Sequence, residues 1–122
     1  MMPETPLLVE EACEACRADS VTLDLPEIEK LCRQIPCWSV VKSDGGQQLV
    51  REFRFKDFSQ ALMFTNLIGE MAEKQNHHPD ILTRWGAVEL IWYTHRISGL
   101  HRNDFRCAAR CDQLYSSIPN TS

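Results

Sequence analysis

Three histidines in the second half of the sequence are the side chains best suited to do chemistry. His77 and His78 are adjacent and precede Pro79, and His95 follows a strongly apolar run. An unperturbed imidazole has a pKa of about 6.5, so histidine can gain and lose a proton near neutral pH. Two consecutive histidines in an extended segment point in different directions. We therefore expect one to transfer a proton and the other to position a substrate or the first ring.

Two other interpretations of these histidines stay open. Three histidines can hold a catalytic zinc ion that keeps a water at its fourth position. The helix-borne His-Glu-x-x-His pair of many such sites is absent from the sequence. The rings can also be structural, with their nitrogens satisfied by backbone carbonyls. A Gly-rich phosphate loop and a recognisable serine or cysteine nucleophile motif are both missing.

The apolar pattern places the histidines between a helix and a strand. Asp57 caps a long predicted helix that runs to about residue 75, and Pro79 disfavours helical backbone at His78. A buried strand over 87–94 then leads to His95. The other predicted elements are a helix opened by Pro26, a hairpin turning at 43–46, a short strand at 81–85 and a last helix at 103–114. This order predicts an α+β two-layer sandwich, in which a four-stranded antiparallel sheet carries three helices on one face.

Composition indicates an ordinary soluble domain. The 122 residues are 43% apolar and 25% charged, enough for a single core, and the net charge of −4 argues against direct nucleic-acid binding. Neither a membrane-spanning run nor a secretory signal is visible, so we expect a cytoplasmic protein without membrane contact. We divide the chain into a flexible, loosely attached cysteine-containing head (1–25), a folded domain (26–115) and a frayed tail (116–122).

The six cysteines form three pairs along the sequence: Cys13 and Cys16, Cys32 and Cys37, and Cys107 and Cys111. In a cytoplasmic protein we expect all of them to be reduced. The first pair has the spacing of zinc ligands, but the second pair straddles a proline and fits a zinc knuckle poorly. A redox role for the first pair and incidental thiols therefore both stay open. We expect the last pair to be small buried hydrophobes of the final helix.

Together these residues resemble the pterin-4a-carbinolamine dehydratases. The resemblance covers about residues 26–114, and it is specific because the paired histidines, a Thr-His pair and a Gly-Leu pair all fall at the family's spacing. The cysteine head also looks like bacterial members associated with phenylalanine hydroxylase. The residues that carry the resemblance are Glu73, Lys74, His77, His78, Pro79, Trp85, Val88, Thr94, His95, Gly99, Leu100 and Asp104.

The resemblance implies dehydration of 4a-hydroxytetrahydrobiopterin to quinonoid dihydropterin, which recycles the pterin for aromatic amino-acid hydroxylation. A ring nitrogen lone pair expels the 4a hydroxyl, so the reaction needs an acid for the leaving oxygen and a base for a ring N–H. By position, His77 and His95 would transfer protons and His78 would place the substrate. No metal or cofactor is implied, because the pterin is the substrate. The implied substrate-binding residues are Glu73, Asn76, Pro79, Trp85, Thr94 and Asp104.

The resemblance also implies partners and marks departures. It implies a homodimer or homotetramer, with phenylalanine hydroxylase as a candidate partner. Asn76 stands where mammalian relatives have an acid, and Ile81 stands where many relatives have an aromatic residue. His101 replaces the Ser or Thr that would cap the last helix over Asp104, so we expect a weaker cap there, with Asn103 as a substitute. Mammalian relatives also serve as dimerisation partners of a transcription factor, so the alternative function is a non-catalytic dimerisation or regulatory partner protein.

Overall fold

A four-stranded antiparallel sheet forms one layer of the fold, and helices form the other. The computed structural model describes residues 7–14 and 22–119. The strands lie in the order β1-β2-β4-β3. The predicted α+β two-layer sandwich is confirmed. In chain order the elements are α1 (Leu25–Cys32), β1 (Ser39–Ser43), β2 (Gly46–Arg54), α2 (Phe58–Gln75), β3 (Asp80–Arg84), β4 (Ala87–Trp92) and α3 (Arg102–Ser116), with short 3-10 helices at Leu8–Glu10 and His95–Ile97.

Two hairpins build the sheet and join through their second strands. The β1–β2 hairpin turns through Asp44 and Gly45, as the Asp-Gly pair predicts. The β3–β4 hairpin turns at Trp85 and Gly86, where Gly86 takes a φ of 73°. The pairing of β2 with β4 sets Leu49 opposite Trp92, and both side chains are buried. Because successive side chains of a strand point to opposite faces, these buried residues lie on the sheet face that packs against the helices.

The core lies between this face and the helices. Phe64 of α2 packs on Phe53 of β2 with their ring centroids 4.8 Å apart, and α1 adds Ile28 and Leu31 to the same cluster. Phe105 of α3 is also fully buried. Among the residues that the structure describes, no helix is long and apolar enough to cross a membrane.

Residues 7–14, which we call the strap, pack against α3, which differs from the loose attachment expected for the head. Leu8 is fully buried, and its N–H donates to Gln34 Oε1 at 2.8 Å. Glu11 accepts two 2.9 Å hydrogen bonds from Arg102 and one of 2.7 Å from Arg106. These contacts come from Gln34 after α1 and from α3, so local sequence in the head could not reveal them. Cys16 lies outside the described residues.

The Glu11 cluster makes strap stability depend on pH. Hydrogen bonds from Arg102, and after them those from Arg106, lower the pKa of Glu11 from 4.5 to about 2. A lowered carboxyl pKa adds stability above the unfolded value, and this is lost as pH falls from about 4.5 towards 2. We expect Glu11→Gln to lower the free energy of unfolding by about 1–2 kcal/mol at pH 7, and much less at pH 2.5.

Urea denaturation at both pH values measures this difference. The matched control is Glu10→Gln, because Glu10 is the neighbouring exposed carboxyl. Equal losses for the two variants at pH 7 would contradict an anchoring role for Glu11.

Candidate active site

The three histidines line one cleft at the end of the sheet where α2 leads into β3. The cleft has a volume of about 730 Å³, within the range of about 300–1,000 Å³ that is usual for small-molecule sites. The structure therefore brings His77, His78 and His95 together, which any site that uses all three histidines requires. The lining residues are Cys13, Glu14, Lys74, Gln75, Asn76, His77, His78, Tyr93, Thr94, His95 and Arg96.

The end of α2 sets the direction of His77. Asn76 adopts the left-handed conformation with φ 52° and ψ 40°. The N–H of Asn76 donates to the carbonyl of Glu73, and the N–H of His77 donates to the carbonyl of Ala72, both at 3.2 Å. This is a Schellman motif, and asparagine tolerates its left-handed position better than most residues. The role that the structure gives Asn76 is to end the helix and turn the chain into the cleft.

The His77 ring is held by an edge contact and a face contact. Its Nε2 lies 2.6 Å from Asp104 Oδ1, and its ring stacks on Trp92 with an interplanar angle of 15°. Because a carboxylate only accepts, Nε2 carries the proton and donates it to Asp104. Nδ1 has no hydrogen-bond partner within residues 7–14 and 22–119. In the neutral ring this nitrogen keeps a lone pair beside the cleft.

Asp104 is fully buried and is satisfied by donors from three elements. Besides His77, it accepts from the Thr94 hydroxyl at 2.7 Å and from the His101 backbone N–H at 3.0 Å. A buried carboxylate needs such partners, because burying it without them is very costly. The structure thus places Asp104 behind His77, where it orients the ring, and Thr94 lines the cleft while its hydroxyl holds Asp104.

The start of α3 corrects the expectation of a weakened cap. His101 Nδ1 accepts the backbone N–H of Asn103 at 3.0 Å, and Asp104 accepts the His101 N–H in return, so the capping box is complete. Burial lowers the pKa of His101, which keeps its ring neutral and leaves Nδ1 able to accept. The expectation of a weaker cap was wrong because an imidazole nitrogen can accept a backbone N–H, as a serine or threonine oxygen does.

His95 reaches the cleft from a different element than the one predicted. β4 ends at Trp92, and His95 begins a 3-10 helix whose base is closed by a bridge between Thr94 and Gly99. Gly46 lies against this loop, and a Cβ on it would come within 1.9 Å of the Ser98 carbonyl oxygen. The β1–β2 turn therefore supports the loop that carries His95, and only glycine fits there.

His78 and His95 are more exposed than His77. His78 Nε2 is hydrogen-bonded to Glu73 Oε2, and both side chains are exposed. The His95 ring lies 4.3 Å from the Tyr93 ring, centroid to centroid, and the Tyr93 hydroxyl donates to Asp80 at 3.3 Å. The cleft thus has one fixed, inner imidazole and two imidazoles at its open side.

Four of the predicted substrate-binding residues are not part of the lining, namely Glu73, Pro79, Trp85 and Asp104. Trp85 is 73% exposed in the turn between β3 and β4, about 16 Å along the strand from Asp80. Pro79 is half-buried and starts the exit into β3, but it is not part of the lining. Among residues 7–14 and 22–119, no group of three or more His, Cys, Asp or Glu side chains is arranged to hold a metal ion.

Sequence reasoning missed several lining residues. Cys13 and Glu14 come from the strap, whose place depends on side chains of α3 and α2, so no local signal could reveal them. Tyr93 and Arg96 flank the Thr-His pair, and their closeness to His95 was a usable signal. Lys74 belongs to the motif that carries the resemblance, and the structure adds it to the lining.

Comparisons with known proteins point to one family. A family model described as pterin 4 alpha carbinolamine dehydratase matches residues 21–114. A Saccharophagus degradans protein named "Putative pterin-4-alpha-carbinolamine dehydratase" is 45% identical over 108 residues, which are 88% of this chain and 96% of that protein. A similarly named Gloeobacter violaceus protein is 46% identical over 111 residues, which are 91% of this chain and 96% of that protein.

Solved structures extend the likeness to three dimensions. A transcriptional coactivator/pterin dehydratase from Brucella melitensis superposes with a TM-score of 0.70 and 30% identity, over 77% of this chain and 98% of that one. A pterin dehydratase-like protein identified as a RuBisCO assembly factor in the alpha-carboxysome has a TM-score of 0.56 and 22% identity, over 66% of this chain and 92% of that one. At that identity the second likeness concerns the fold alone.

The Asp104 contact predicts one tautomer for His77. In the neutral ring the proton should sit on Nε2, and Asp104→Asn should relax this preference because an amide can also donate. Ring ¹⁵N NMR of the histidines measures the tautomer. His78 serves as the internal control, since its partner is Glu73. An unchanged His77 spectrum in a folded Asp104→Asn variant would contradict the orienting role.

Proposed function

Because the chain belongs to the pterin 4 alpha carbinolamine dehydratase family, an enzyme family of hydro-lyases, we propose that it dehydrates 4a-hydroxytetrahydrobiopterin. The product is quinonoid dihydropterin, and the catalysts are histidine side chains acting as acid and base. The observation that carries the proposal is the convergence of His77, His78 and His95 on one cleft. The volume of that cleft suits a bicyclic ring with a short side chain.

In this proposal His77 is the base. Its Nε2–H is held by Asp104, so Nδ1 keeps the lone pair that takes a proton from a ring N–H of the pterin. Stacking on Trp92 keeps the ring plane in place while the proton moves. As the imidazolium forms, the Asp104 carboxylate stabilises its positive charge through the same hydrogen bond.

His95 is the acid that protonates the leaving 4a hydroxyl. The ring nitrogen lone pair forms the new bond to C4a, the C–O bond breaks, and the oxygen leaves as water with the proton from His95. The exposure of His95 suits this role, because a solvated imidazole can be reprotonated from water between turnovers. His78, hydrogen-bonded to Glu73, positions the substrate at the open side.

The reaction moves two protons and releases one water, so its chemistry draws on no metal, nucleotide or covalent nucleophile. We place it in tetrahydropterin recycling for aromatic amino-acid hydroxylation in the cytoplasm, with phenylalanine hydroxylase as a candidate partner. The competing function is a non-catalytic dimerisation or regulatory partner protein. The Asp104–His77 arrangement favours the enzyme, because protein association alone needs no oriented imidazole.

Removing either proton-transfer histidine should slow turnover with the fold intact. We expect His77→Ala and His95→Ala each to lower kcat by about 10²–10⁴-fold, the usual contribution of one general acid or base. The measurement is dehydration of synthetic 4a-hydroxytetrahydropterin, corrected for the uncatalysed rate, with circular dichroism to confirm folding.

The matched variant is His78→Ala, which should raise KM more than it lowers kcat, because it removes a positioning contact. Unchanged kcat in both His77→Ala and His95→Ala would contradict the catalytic assignment and favour the non-catalytic partner.

We also propose that the protein is a homodimer or homotetramer. Phe58, Leu62 and Met63 of α2 are large exposed hydrophobic residues, and such patches commonly mark interfaces. Light scattering should give two or four times the 14.1 kDa chain mass, and Leu62→Lys should lower it from a tetramer. The control is Glu29→Lys, which changes an exposed residue of α1. A mass of one chain for the wild-type protein at micromolar concentration would contradict the proposal.

A further inference from the structure

Two thiols from distant parts of the chain meet beside the cleft. Cys13 and Cys107 are 94 positions apart in sequence, and their Sγ atoms are 3.5 Å apart. Cys13 lines the cleft, whereas Cys107 is fully buried behind it. Cys13 is therefore the thiol of the pair that faces the cleft, and Cys107 is shielded from solvent.

The strap holds Cys13 in this position through its backbone. The Cys13 N–H donates to Gln75 Oε1 at 2.9 Å. The next residue is held on both sides by Asn103, since Glu14 N–H donates to Asn103 Oδ1 at 3.0 Å and Asn103 Nδ2 donates to the Glu14 carbonyl at 2.7 Å. A disulfide needs sulfurs about 2.05 Å apart, so the two Sγ atoms must approach by roughly 1.5 Å.

We propose that Cys13 and Cys107 form a peroxide-reactive thiol pair that closes to a disulfide, in which Cys13 attacks the oxidant and Cys107 resolves the product. This chemistry differs from the proposed dehydration, although Cys13 lines the same cleft, and its test does not require any pterin turnover. The spacing in the sequence suggests Cys16 as the redox partner of Cys13. The fold instead brings Cys107 close to Cys13.

The surroundings of the two thiols assign their order of reaction. The hydrogen bond from Cys107 lowers the pKa of Cys13, and the nearby positive charges of Arg106 and Arg110 act in the same direction. The thiolate is the nucleophile, so Cys13 reacts first. The same contact and burial raise the pKa of Cys107, which keeps it a thiol until Cys13 has been oxidised.

The two steps balance with hydrogen peroxide as the oxidant. The Cys13 thiolate attacks one peroxide oxygen, the O–O bond breaks, and Cys13 sulfenic acid forms while hydroxide leaves and is protonated to water. The Cys107 sulfur then attacks Cys13 Sγ and displaces the sulfenic hydroxyl, which takes the Cys107 proton and leaves as the second water. Two thiols and one peroxide thus give one disulfide and two waters.

Other cysteines offer matched controls within the same chain. Burial raises the pKa of Cys32, a half-buried thiol of α1, and Cys37 is exposed. Both lie outside the cleft lining. If exposure alone governed oxidation, Cys37 would react before Cys13.

The test treats the reduced full-length protein with stoichiometric hydrogen peroxide, alkylates the remaining thiols, and maps peptides by mass spectrometry without reduction. We expect the Cys13–Cys107 linked peptide as the main product, unchanged in Cys16→Ala and Cys32→Ala. Cys107→Ala should leave a Cys13 sulfenic acid that dimedone traps. Because the link closes a loop of 94 positions, Tm should rise by about 5 °C or more and fall back on reduction.

A Cys13–Cys16 link as the main product in the wild-type protein would overturn the pairing. Oxidation of Cys37 ahead of Cys13 would overturn the assignment of Cys13 as the reactive thiol. These two outcomes are read from the wild-type protein and from Cys16→Ala, so they hold even if Cys107→Ala folds poorly.

Discussion

The carboxylate of Asp104 is fully buried, and it joins the exit of α2, the end of β4 and the start of α3. His77, Thr94 and the His101 backbone each donate to it. Removing any one of these donors would leave the buried carboxylate without a full set of hydrogen bonds. The free energy lost would exceed the contribution of a typical exposed hydrogen bond. Asp104 therefore fixes the cleft relative to the core, because the carboxylate that orients the His77 ring also links three elements of the fold.

This constraint gives the cleft an inner side that is held by the core and an outer side that is exposed. His77 is fixed by Asp104 at its edge and by Trp92 at its face, whereas His78 and His95 are exposed and make single side-chain contacts. In the proposed reaction, a fixed inner imidazole would help hold the pterin ring, and the exposed side of the cleft would let water leave. The strap adds a third wall, whose chemistry includes a thiol.

The fold could be predicted from the sequence because its signals are local. Asp57 caps α2 by accepting the Gln60 N–H at 2.9 Å, the Asp-Gly turn forms, and the alternation in β4 buries the expected side chains. The three histidines also share a cleft, as the helix-to-strand placement allowed. The Schellman exit at Asn76 left a usable signal too, since an asparagine follows the last helical turn and precedes the His-His-Pro run.

What could not be predicted depends on contacts across the chain. Residues 7–14 carry little periodicity, and their place is decided by arginines about 91 to 99 positions later. Trp85 stands at a family position, yet in a single chain it is 73% exposed, in the turn at the far end of its hairpin. Its spacing in the sequence could not reveal this, because spacing does not show which end of a strand faces the cleft. His101 shows a third limit, since its capping role depends on an imidazole nitrogen that accepts the Asn103 N–H, and the usual list of capping residues does not include histidine.

The order in which the chain is made adds a consequence for the strap. Glu11 and Cys13 leave the ribosome early, but their partners Arg102, Arg106 and Cys107 belong to α3, whose synthesis at 5–20 residues per second follows several seconds later. Until then the β-hairpins can pair, but the strap lacks its α3 partners, and His77 and Thr94 lack Asp104. A nascent chain therefore has a sheet without a cleft, and the part of the cleft that depends on Asp104 and the strap is completed only when α3 docks.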